Sequence, residues 1–419
     1  MTAAGGGRTA LVLSGGGARG AYEAGVVRYL REELAPELGR QPRFDVLSGT
    51  SIGAVNACVM ASTADVPERQ GAALAAAWRS LKLEQVFHWS ALNLAALPGY
   101  VVRQLRATRM RHLSWRLSDF VFPEALARLV HDRIDWARLH RNVRDGHVGA
   151  LTVSATDLGT GRAVVFVESM RELPAWSRDP LVEARGCAIG PAHALASGAI
   201  PLLFRPVRIE DSWFVDGSVR QNTPLAPALR LGADRVLVIA LRAEGREADR
   251  APRLHPEEAP TTAAQLGRLL NALLLDHADY DIDRLRHVNA MMDRAEQVFG
   301  PGFAEQLAAL SARELAAPFR RVRELVIRPS RDIGRLAHEH AIRRVRHLRP
   351  GTLAARLLRR AAADVEAAAD GAADLASFLL FDGEFADELI ALGHADARQS
   401  RDALLAFFAE PVAAGARTA

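Results

Sequence analysis

Short apolar runs alternate along the chain with longer stretches in which apolar residues recur every three or four positions. "TALVLS" (Thr9 to Ser14) is the first such run; three glycines follow it, and then "AYEAGVVRYLREEL", whose spacing predicts an amphipathic helix. The run before Ser51 predicts a second strand that passes directly into a helix beginning near Ile52. "GALTVSATDL" and "AVVFVE" predict further strands, "WFVDGS" the end of one, and "DRVLVIAL" and "RELVIRP" two buried strands. Strands separated by helices imply an α/β fold of three layers, a mostly parallel sheet with helices on both faces. Such a sheet presents ligands with the carboxyl ends of its strands.

Two segments interrupt the alternation. Residues 80–148 read as a helical, arginine-rich insertion or lid that holds Trp89, Trp115 and Trp136, and 242–262 reads as a mobile polar loop. Beyond Pro329 the chain is rich in alanine and arginine and is expected to be helical.

Composition narrows the chemistry only a little. With 419 residues, 49% of them hydrophobic, the chain can bury a full core. Cys58 and Cys187 are too few for a disulfide framework, and the first thirty residues lack a leader pattern. A reducing, cytoplasmic setting is therefore expected. No run of about 18 apolar residues occurs, so any membrane contact should be peripheral. The net charge is +4, and Lys82 is the only lysine among many arginines. No zinc-finger spacing, RNA-binding signature or basic zipper accompanies them, so no nucleic-acid partner is expected.

The candidate chemistry centres on "GTSIG". Where a strand turns sharply into a helix the two backbones cross closely, and Gly49 and Gly53, flanking Ser51 at two positions on either side, would remove the collision. Ser51 is left at the strand end, near the positive end of the following helix, as a candidate nucleophile. The glycine run "GGGARG" also follows a strand and opens a helix, so its N–H groups can converge on an anion. A dinucleotide site would need an acid at the end of the second strand to hold a ribose; that place carries Ser51 instead. An oxyanion hole is the better reading of the loop. A serine hydroxyl needs a proton acceptor, and the favoured carboxylate is Asp216 in "WFVDGSVRQNTPL", at the end of an apolar strand. His255, His277, His287, His338, His340, His347 and His394 lie downstream in the order of a hydrolase triad, none in a distinctive setting.

"GGGARG", "GTSIG", "ASGAIPLLFRP" and "DGSVRQNTPL", in this order and at these separations, resemble the patatin-like phospholipase family over about Thr9 to Pro224. The tail "FLLFDGEFADELIALGHADA" is similar to a bacterial subgroup of it. The resemblance implies a lipid acyl hydrolase domain over 9–330 and a helical region over 331–419. It implies a Ser-Asp dyad of Ser51 and Asp216, with Gly15, Gly16 and Gly17 as the oxyanion loop, no histidine, and neither metal nor cofactor. Arg19 and Gly20 would support the loop, and Gly49, Gly53 and Gly217 the elbow. One position departs from the pattern: Ser218 stands where the family usually has Gly or Ala, which bears on fine positioning.

The substrate implied is a fatty acyl ester of a lipid. Residues 100–116, where arginines alternate with Leu105, Met110, Leu113 and Trp115, are a candidate for peripheral membrane contact. An acyltransferase on the same fold and a non-catalytic lipid-binding module are the rival readings.

Overall fold

The computed structural model describes residues 7–81, 124–174, 176, 181–201, 203–243, 265, 268–272, 277–311, 320–347 and 376–409. Trp89, Trp115, His255, the segment 100–116 and most of the loop 242–262 lie outside the described residues.

Among the described residues one nine-stranded sheet organises the chain. Its strands are β1 (Arg8–Leu13), β2 (Val46–Thr50), β3 (Ala150–Asp157), β4 (Ala163–Ser169), β5 (Val182–Gly186), β6 (Val207–Ile209), β7 (Ser212–Asp216), β8 (Ala233–Ile239) and β9 (Arg323–Ile327). The order across the main path is β5-β4-β3-β2-β1-β8-β9. β1, β2, β3, β8 and β9 run parallel; β4 and β7 each pair antiparallel with β3. β2 and β3 are buried along their whole length, Ser48, Thr152 and Ser154 included, because both their faces are covered. Leu11 and Leu13 enter one core with Leu47 and Leu237, while Ala10 and Val12 enter a second core with Val46 and Val236 on the other face. This alternation is the two-residue period of a strand, and it makes the three layers.

The helix Ala21–Tyr29, expected to be amphipathic, is buried on nearly every side. Its second face is taken by the C-terminal helix Gly383–Gln399, whose Gly393 backs so closely on Tyr22 that a Cβ there would overlap the Tyr22 carbonyl oxygen. Phe378, Phe385, Leu389 and Phe407 join the same core as the elements around β1. The chain after 329 is helical where described, at Ile333–His347, Gly383–Gln399 and Arg401–Ala409. Of the expected insertion, the described part forms the helices Glu124–Asp132 and Trp136–Arg144.

Candidate active site

β2 ends at Thr50 and the helix Ile52–Ser62 begins two residues later, so Ser51 alone makes the turn. Its backbone lies at φ 54°, ψ −126°, a conformation that residues with a Cβ rarely adopt. A Cβ on Gly49 would overlap the Gly53 carbonyl oxygen, and one on Gly53 would overlap that of Leu13. Glycine at both positions is what lets strand and helix meet. The strained turn is held from behind: the Ser51 N–H donates to Ser197 Oγ at 2.8 Å, and that hydroxyl donates to the Ser154 carbonyl at 2.6 Å. Sequence reasoning assigned Ser197 no role; its one signal was its place in "ASGAIP".

Asp216 reaches Ser51 by a route that the strand pattern alone did not suggest. β2 and β3 pair as far as Thr50 and Ser154, where β2 bends away into its helix. β7 then takes over the vacated edge of β3 from the opposite direction, with Asp216 opposite Ala155. The two strands thus meet head-on along one line, and the last residue of β7 abuts the residue after β2. The Ser51 hydroxyl donates to Asp216 Oδ2 at 2.6 Å, and the Ser218 N–H donates to Oδ1 at 2.8 Å. Gly217 sits so close to β3 that a Cβ would overlap the Ser154 carbonyl oxygen.

Asp216 is wholly buried. Burial raises its carboxyl to about 6, against the opposing pull of the Ser51 hydroxyl, the Ser218 N–H and the Ser218 hydroxyl. That last hydroxyl lies off good hydrogen-bond geometry, yet its dipole is near enough to favour the charge.

The glycine loop borders the same spot. A Cβ on Gly15 would stand 3.1 Å from Ser51 Cβ and 2.5 Å from Asn222 Oδ1, so the loop backbone lies directly against the hydroxyl. The Gly15 N–H is already committed to the Asn222 carbonyl at 3.1 Å. Gly16 and Gly17 precede the first hydrogen bond of the turn that follows, and among the described residues no backbone acceptor takes their N–H groups. Gly17 has φ 57°, and a Cβ there would overlap the Phe378 carbonyl oxygen. Arg19 is buried behind the loop: its Nε donates to Ser377 Oγ at 2.7 Å and its guanidinium stacks 4.5 Å from the Phe378 ring centroid. A Cβ on Gly20 would press on Ile52 at 2.6 Å.

Beneath these two turns lies a polar knot that the sequence did not announce. Glu23, two residues into the helix after the loop, is fully buried and accepts from Asn56 Nδ2 at 2.8 Å through Oε2. Asn56, one turn along the elbow helix, also donates to the Gly20 carbonyl at 3.0 Å and accepts from Trp78 Nε1 at 3.1 Å. Burial drives the Glu23 carboxyl well above its ordinary range, against Asn56 and the Ser14 backbone. Glu23 therefore ties the helix of the loop to the helix of the elbow.

Among the described residues no histidine stands at hydrogen-bond distance from Ser51 or Asp216. His340 pairs with Glu388 at 2.8 Å, His394 with Glu33 at 3.1 Å, and His287 is exposed. His340, Asp382 and Glu384 bring potential metal ligands within 4.8 Å of one another, but Arg344 already donates to Asp382 at 2.8 Å. A cavity of about 240 Å³ lined by Arg31, Phe44, Met60 and Gln70 opens at the amino ends of β2 and β3, the edge opposite Ser51. Hydroxyl, carboxylate and loop backbone come together at the carboxyl edge, which is the candidate site.

The family model for patatin-like phospholipase matches residues 11–229, more than half of the chain. The chain belongs to that family. Every site residue anticipated from the sequence lies inside the span that the patatin-like phospholipase model matches. The chain is 36% identical over 111 residues to the patatin-like phospholipase domain-containing protein ZK370.4 of Caenorhabditis elegans. That match covers 25% of this chain and 8% of the relative, so it spans a small part of the relative's length. The crystal structure of VipD from Legionella pneumophila aligns over 96% of this chain and 67% of its own, at 13% identity and a TM-score of 0.33.

Proposed function

We propose that the protein hydrolyses fatty acyl esters of lipids through a Ser51-Asp216 dyad and an acyl-enzyme. The observation that carries this reading is the 2.6 Å contact between a serine held at a strained strand-to-helix turn and a buried carboxylate.

Asp216 Oδ2 takes the Ser51 proton while Oγ attacks the ester carbonyl carbon. Even at about 6, the aspartate is too weak a base to ionise serine beforehand, so proton transfer accompanies attack. The N–H groups of Gly16 and Gly17 receive the developing oxyanion, Gly15 serving as the hinge that keeps them beside the serine. Loss of one such donor typically costs about 3 kcal/mol of transition-state stabilisation. The tetrahedral adduct collapses as protonated Asp216 gives its proton to the departing alkoxide, leaving an ester on Ser51. Water then attacks that ester, Asp216 accepts its proton and returns it to Ser51 Oγ, and the fatty acid leaves.

The test is hydrolysis of a soluble short-chain ester together with labelling by a fluorophosphonate. Ser51→Ala should abolish both, while substitution of His340 or His394 should leave the turnover of folded protein unchanged. An unlabelled wild-type protein would turn the reading toward a non-catalytic lipid-binding module. Release of acyl product onto an added alcohol in preference to water would turn it toward an acyltransferase.

A further inference from the structure

Trp213, Leu158 and Leu181 are large apolar side chains 52%, 52% and 55% exposed, and the backbone brings them to one edge of the sheet. The Leu158 N–H donates to the Trp213 carbonyl at 2.8 Å, the Asp157 N–H to the Arg162 carbonyl at 3.0 Å, and the Ala163 N–H to the Leu181 carbonyl at 2.8 Å. The three residues therefore form a strip across the ends of β7, β3, β4 and β5. This is the edge that carries the dyad. Leu158 lies three residues beyond Ala155, the partner of Asp216, which sets the strip about 10 Å outward of the carboxylate at a strand's rise per residue.

The chemistry of the strip is that of a surface meeting the headgroup layer. Along β7 the buried Phe214 alternates with Trp213, whose ring stands on the outer face beside Arg208, its cross-strand neighbour. An indole with an apolar body and one N–H donor suits the boundary between hydrocarbon and headgroups. Arg162 and Arg220 flank the strip, both exposed and, among the described residues, neither with a carboxylate partner. Arg220 Nε donates to the Gly161 carbonyl at 2.8 Å, which fixes its guanidinium beside the β3–β4 turn. The acids of the hairpin tip are offset: Asp211 lies 3.6 Å from Arg208, and Glu210 acts on Arg185.

We propose that this strip is a docking rim for an anionic lipid surface, in which Trp213, Leu158 and Leu181 enter the interface and Arg162 and Arg220 meet headgroup phosphates. The proposal rests on the acyl hydrolase reading above, because it gives the rim its purpose: a membrane seated there stands about 10 Å from Ser51, within the depth that interfacial side chains span. It is independent of residues 100–116.

The experiment uses the full chain carrying Ser51→Ala, so that lipid is bound without being consumed, and measures flotation with phosphatidylcholine vesicles with and without phosphatidylglycerol. The parent should float with the vesicles, and more strongly with phosphatidylglycerol present. Trp213→Ser and Leu158→Ser should each weaken partition about tenfold, as expected for one large apolar side chain withdrawn from burial. Arg162→Gln with Arg220→Gln should remove the preference for the anionic vesicles. On a wild-type background the same apolar substitutions should leave hydrolysis of a soluble short-chain ester within about twofold. Partition unchanged by Trp213→Ser and Leu158→Ser, no partition by the parent, or equal loss on vesicles and soluble ester would each overturn the rim. Absence of hydrolysis by the wild type with partition intact would overturn the catalytic reading instead.

Discussion

Asp216 receives a donor on each oxygen, the Ser51 hydroxyl on one and the Ser218 N–H on the other. Glu23, as deeply buried, receives the Asn56 amide on one oxygen, while its Oε1 has no well-formed partner among the described residues. Burial pushes both carboxyls upward, but the donors stop Asp216 at about 6, and Glu23 goes well beyond its ordinary range. Two equally buried acids thus sit in different electrostatic settings. The better-satisfied one is held near 6, where the proposed dyad needs it; the poorly satisfied one is pushed further from its charged form and clamps two helices.

The largest effect should come from removing the exchangeable acid. Asp216→Asn keeps the shape and deletes the base, so kcat should fall by on the order of 10²- to 10⁴-fold while the folded state survives. Next is the clamp. Glu23→Ala opens a cavity and strands the Asn56 amide, which should cost about 2–4 kcal/mol in denaturant unfolding and lower kcat. Glu23→Gln should retain most of both, because burial disfavours a charge at this position. If the Gln variant fell as far as the Ala variant, Glu23 would have to be charged, and the contrast with Asp216 would be wrong.

The pH dependence follows from the same contrast. In the proposed dyad Asp216 has to be ionised to accept the serine proton, so kcat/KM should lose half its value near pH 6 on the acid side, well above an ordinary aspartate. For stability the sign is opposite. The folded state holds the Asp216 proton more tightly than the unfolded chain does. Its contribution is full below the unfolded pKa of about 3.9 and is lost as pH rises through about 6. Asp216→Asn should flatten that part of the stability profile. The smallest effect belongs to Ser218→Ala. Removing a hydroxyl that favours the carboxylate should move the acid limb upward by a fraction of a pH unit with little change in maximal rate.

What could be read before the fold was seen divides along physical lines. β1, β2, β3, β4 and β8 announced themselves because buried strands carry apolar runs; β9, expected to be buried, is a strand but an edge one and half-exposed over all but Ile327; Gly49 and Gly53 marked the elbow because two backbones cannot cross there with side chains present. β5 ("VEARG") and β6 ("VRI") were silent, being short, polar and half-exposed. Asp216 was legible as a strand-ending acid, whereas its head-on approach along the line of β2 depends on antiparallel pairing that no local pattern encodes. Ser197 and Glu23 were missed for a related reason: a serine in a small-residue helix and an acid in an amphipathic pattern look ordinary until their partners arrive from other elements. The second face of the helix Ala21–Tyr29 was likewise invisible, because the helix that covers it comes near the end of the chain.

The bond from Arg19 to Ser377 joins residues 358 positions apart in sequence. A ribosome that has made the strand, the elbow and the acid has therefore not yet supplied what braces the glycine loop, and the growing chain carries its reactive groups without their last support. The loop would then take its braced shape only once Ser377 has emerged, long after the residues it borders.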